Sequence, residues 1–129
     1  MSMELISLPV TGLTITRVCF DYAIVLLMDD GSELRLQVAM SMEGKGVPES
    51  TITPQSVGPH ASWLAGLLHR EMVSALIDPS GRVEIEIEGP ARIVVAPHSQ
   101  YEAWTYAGPS GQKAVCLPGG GVTTWDLST

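Results

Sequence analysis

Two stretches of this chain follow one plan, and that plan limits the fold more than any other feature. Residues 17–38 run as a β-branched segment, Arg17-Val18-Cys19-Phe20, closed by Asp21. An apolar segment Ala23–Met28, an acidic turn Asp29-Asp30-Gly31 and a last segment Leu34–Val38 follow. Residues 72–95 repeat the order as Met72–Ile77, Asp78, Val83–Ile87, Glu88-Gly89 and Ile93–Val95. Short runs rich in Val, Ile and Leu, punctuated by Gly, Pro and Asp, read as strands joined by tight turns. The pattern predicts a mainly β fold of α+β type: two meander-like three-strand units, an internal repeat, with one short helix. These would form a twisted sheet, a sandwich or a partly open barrel.

The details sharpen that expectation. Ala23–Met28 is apolar at every position, which predicts a strand covered on both faces. Asp30-Gly31 is read as a type I′ hairpin turn. A two-residue loop would pair Leu27 with Leu34, and a three-residue loop Met28 with Leu34. Arg82–Glu88 alternates strictly, so Val83, Ile85 and Ile87 face inward while Glu84, Glu86 and Glu88 face outward. With Glu88-Gly89-Pro90 as the loop, Glu86 stands opposite Arg92 and Ile85 opposite Ile93. A further hairpin is expected from Ala103–Ala107 and Gln112–Leu117 about a Gly108–Gly111 turn, with a final edge strand over Val122–Leu127. Leu13–Phe20 reads as the first strand. Residues 40–60 hold Gly44, Gly46, Pro48, Pro54, Gly58 and Pro59 and read as a loop, with Thr51–Thr53 as its one short strand. Ala61–Arg70 is the helix candidate, with Pro59 near its start and Trp63, Leu64, Leu67 and Leu68 at helical spacing.

The chain has 129 residues, a length that suits one domain, 1–129, able to build a core without disulfides or metals. Its net charge of -7 disfavours nucleic acid and would suit a basic partner. No apolar run approaches the ~20 residues that span a membrane, and Met1–Glu4 shows no signal-peptide pattern. The two cysteines, Cys19 and Cys116, sit in apolar runs and read as reduced thiols, which points to the cytoplasm.

Several segments resemble a family of small bacterial proteins known only as a domain of unknown function. They are Leu8-Pro9-Val10-Thr11-Gly12-Leu13-Thr14, Phe20-Asp21-Tyr22-Ala23, the Asp30-Gly31 turn, Tyr101-Glu102-Ala103-Trp104, and Pro118-Gly119-Gly120 with Trp125. The resemblance implies a single, stand-alone intracellular domain. It implies no activity and no catalytic residues.

Motifs for chemistry are sparse. Pro118–Gly121 lacks the following helix and the lysine of a phosphate loop, so it reads as a turn. His60, His69 and His98 show no zinc-ligand spacing, and no metal or cofactor is expected. His98-Ser99 lacks a nucleophile elbow. Asp21 and Asp78 hold equivalent places in the two units, which suits backbone-binding turn residues better than an acid–base pair. Trp104 and Tyr106 share a strand face, and with Trp125 they are the candidate contact residues. The functional expectation is a non-enzymatic binding or interaction module, homodimeric, in one version neutralising a basic protein through Glu84, Glu86 and Glu88. The alternative is a small-ligand binder or enzyme with a pocket gathering a His with Asp21, Asp78 or Glu102.

Overall fold

The computed structural model describes residues 5–44 and 47–127; Met1–Glu4, read above for a leader, lie outside them. The strands are β1 (Ile6–Ser7), β2 (Ile15–Phe20), β3 (Ile24–Met28), β4 (Glu33–Leu36), β5 (Met40–Gly44), β6 (Val47–Ile52), β7 (Met72–Ile77), β8 (Val83–Ile87), β9 (Ala91–Val95), β10 (Trp104–Ala107), β11 (Lys113–Cys116) and β12 (Val122–Trp125). One helix, α1, spans Ala61–Ala65. The strands form two six-stranded antiparallel sheets, ordered β1-β7-β8-β9-β5-β6 and β12-β11-β10-β4-β3-β2. A single hydrophobic cluster draws on both, so the sheets face each other as a sandwich.

Each repeated stretch is a three-stranded meander, and the two lie in opposite sheets: β2-β3-β4 in the second, β7-β8-β9 in the first. Neither sheet is built from local chain alone. β1 pairs with β7, β5 with β9 and β4 with β10. The chain from β1 to β2 clings to β7, with Leu8 N donating to Ala75 O and Met72 N to Leu13 O. A bridge between Thr14 and Glu71 then links the segment entering the second sheet to the segment entering β7.

The β8–β9 register is the expected one, with Ile85 opposite Ile93 and Glu86 opposite Arg92. The β3–β4 register is neither alternative considered, because Leu26 stands opposite Leu34. The turn is longer than a type I′ turn: Met28 N donates to Ser32 O and Gly31 N to Met28 O. Only Gly31 takes positive φ (90°). Asp30 stays in ordinary space and its carboxylate instead accepts the Ser32 N–H at 2.8 Å. Asp78–Arg82 repeats this form, with Asp78 N bonded to Arg82 O and Gly81 N to Asp78 O. Such five-residue turns end in a glycine bulge that follows the strand twist.

Two expectations fail here. Residues 40–60 are not a loop: Met40–Gly44 and Val47–Ile52 form a hairpin that completes the first sheet. Met40 and Met42 point into the core while Ser41 and Glu43 do not, a two-residue period hidden by loop-like composition. The helix is also shorter than 61–70. It ends at Gly66 and continues as turns, because one turn suffices to bury Leu64 and Leu67 under the sandwich.

Candidate functional site

Two of the three aromatic contact candidates lie in the interior. Trp104 and Tyr106 are both 0% exposed. They point inward from β10. Trp104 can be buried because its Nε1 donates to Gly81 O at 2.8 Å, which ties the second sheet to the β7–β8 turn. The Tyr106 hydroxyl is enclosed beside Ser32, and burial, with the charge of Asp30 behind it, pushes its phenol up. Trp125 alone is at the surface, 46% exposed on edge strand β12, with Lys113 Nζ 5.5 Å from its ring centre.

Asp78 and Asp21 part ways. The Asp78 carboxylate accepts Ser80 N at 2.9 Å, Arg82 N at 3.2 Å and the Ser80 hydroxyl. The Ser80 hydroxyl bond, with the backbone N–H groups and Arg82 behind it, holds this carboxyl below its ordinary value against the opposing effect of burial. Asp21 is exposed, and none of the side-chain bonds among the described residues involves its carboxylate. Asp30, not Asp21, is therefore the turn-building partner of Asp78. A carboxyl depressed on folding stabilises the native state above its unfolded pKa and loses that contribution as pH falls through the folded value. Wild type is accordingly expected to lose stability on acidification from about pH 5 downward. Asp78→Asn should flatten part of that loss in urea titrations at stepwise lower pH, and an unchanged acid limb would refute the assignment.

Histidines and carboxylates do not converge among the described residues. His60 Nε2 lies 2.8 Å from Ser50 Oγ, His98 Nδ1 accepts the Gln100 N–H, and His69 N bonds Ile15 O. No group of three His, Cys, Asp or Glu is placed to hold a metal there. Cys19 and Cys116 are free thiols, and burial raises the Cys116 pKa. The Pro118–Gly121 segment is the β11–β12 turn, and Gly121 N donates to Ser80 O at 2.8 Å rather than to a ligand.

Polar side chains gather instead on the outer face of the first sheet. Arg92 of β9 stands between Glu43 of β5, at 3.0 Å, and Glu84 of β8, which also receives Arg82 at 3.5 Å. The bond to Glu43, with the charge of Glu84, raises the already high Arg92 pKa. Glu86 and Glu88 extend the row but enter none of these ion pairs, and both are exposed. Beside them lies an open depression of about 740 Å³, bordered by Glu43, Glu86, Glu88, Arg92, Pro90 and the exposed Val73. The outward glutamates were legible from the alternation of β8. The arginine clamp was not, because Glu43 lay in a stretch read as loop.

Fold and surface together define a small acidic β-sandwich with an ionic ladder on one outer face. The chain belongs to a family of unknown function, DUF6188, whose model matches residues 6–126. No curated protein and no solved structure matches it. Among the described residues, no helix is long and apolar enough to cross a membrane.

Proposed function

We propose that this protein is a non-enzymatic binding module that receives a basic segment of a partner protein on the outer face of its first sheet. The observation that carries the reading is the split among the glutamates there. Glu43 and Glu84 are held by Arg92, whereas Glu86 and Glu88, beside the depression, enter no ion pair among the described residues. Arginine or lysine side chains entering it would meet carboxylates at the rim and Val73 and Pro90 along their aliphatic stems. The net charge of -7 would speed the approach of such a partner.

The test is affinity capture with wild type and with the double variant Glu86→Lys, Glu88→Lys, followed by titration of each captured basic protein in purified form. Retention by wild type, loss in the variant and weakening with salt are expected. A partner held equally by both proteins would overturn the assignment of this face.

A second reading draws on the Ser50–His60 contact. An imidazole at 2.8 Å could activate a serine as a nucleophile. Such a role also needs a group orienting the other ring nitrogen and donors for an oxyanion. Labelling of Ser50 by a fluorophosphonate probe, abolished in His60→Ala, would favour it over the binding role.

A further inference from the structure

The four sheet edges are not alike. β1 is two residues long, β2 carries the exposed Arg17 and a bulge, and β6 contains Pro48 and carries the extra residue of a bulge against β5. These are devices that stop an edge from pairing with another chain. β12, Val-Thr-Thr-Trp, has no charge, no proline and an unbroken register against β11. Its end is marked by the exposed Trp125.

We propose that β12 pairs with β12 of a second copy, antiparallel about a two-fold axis at Thr123, so that the second sheets of two molecules become one. The hydrogen-bond phase sets the register. Leu117 N donates to Gly121 O, so in the alternation that follows Thr123 and Trp125 turn their backbone groups toward β11. Val122 and Thr124 turn theirs outward. Centring the axis on Thr123 sets Val122 opposite Thr124 of the second copy and uses every outward N–H and C=O of β12 in four hydrogen bonds. Centring it on Thr124 would need Asp126, which has left the strand with φ 53°.

In the chosen register Trp125 lies opposite Gly121 of the second copy on the outer face, where no side chain blocks the indole. One face of the ring is left to the contact, since Lys113 takes the other. Charge favours the same edge. Two chains of net charge -7 repel, but β12 has no carboxylate and its outer-face neighbour is Lys113. Asp126 lies beyond the paired stretch.

Sedimentation of the full chain at micromolar to 100-micromolar concentration is expected to give a dimer mass. Thr124→Pro removes one outward N–H without touching the ladder to β11, and it should give a folded monomer. Thr123→Cys places the new thiol opposite itself in a non-hydrogen-bonded pair, where Cα atoms approach to about 4.5 Å, and mild oxidation should link two chains. Glu86→Lys, Glu88→Lys should stay dimeric, which separates this edge from the proposed acidic contact face. A monomeric wild type, a dimer that survives Thr124→Pro, or a Thr123→Cys protein that does not cross-link would each overturn the proposal.

Discussion

Replacing Trp104 with alanine is expected to lower the free energy of unfolding by roughly 3–5 kcal/mol, the range for removing a fully buried large aromatic. The side chain is 0% exposed and touches both sheets. Its loss leaves a void between the layers and removes the bond from Nε1 to Gly81 O. Phenylalanine separates these effects, because it keeps most of the ring and gives up only the donor. The buried Gly81 carbonyl would then lack that partner, at about 1–3 kcal/mol. Urea denaturation of the two variants checks both figures. A Trp104→Ala protein within about 1 kcal/mol of wild type would show that the residue does not bridge the layers.

Gly81→Ala is expected to be the most damaging glycine substitution among the hairpin turns. Gly81 has φ +100°, a conformation that costs an L-residue about 1–2 kcal/mol. Here a Cβ would also stand 3.0 Å from Cys116 Sγ and 3.0 Å from Gly121 O. Forcing volume into a packed site adds typically ~1–3 kcal/mol. The same residue supplies the carbonyl that receives Trp104, so a shift of this turn propagates to the core. Gly111 is the control: φ is +92°, but nothing lies within 4 Å of a Cβ there. Gly111→Ala should show the conformational cost alone. Equal losses in the two variants would mean that the close approach of the β7–β8 and β11–β12 turns carries no weight.

These two residues also show where a linear reading of the chain runs out. β8 and β9 were legible down to the register, because the strict alternation of β8 lets only one pairing keep polar with polar and apolar with apolar. β5 was not, since its two methionines are interleaved with Ser, Glu and Gly, and its partner β9 is distant in sequence. The alternation of β10 put Trp104 and Tyr106 on one face without saying which way that face points. What decides it is a carbonyl at Gly81, 23 residues away in sequence, and no local pattern reports such a meeting. The Asp30-Gly31 turn was legible in composition but not in register. Asp30-Gly31 suits a two-residue loop, but the carboxylate gains more by accepting the Ser32 N–H in a longer one. On the acidic face, the outward glutamates followed from alternation, whereas the arginine that clamps two of them required the β5–β9 pairing to be known.

The pairing of β4 with β10 joins residues 33–36 to residues 104–107. During synthesis, therefore, the meander that leaves the ribosome first waits with one flank open until most of the chain has emerged. Folds dominated by such distant pairings mature slowly, in milliseconds to seconds, and expose unpaired strands meanwhile. For this molecule the vulnerable period is the interval before Trp104 arrives, and chaperone demand should concentrate on nascent chains cut short of that residue.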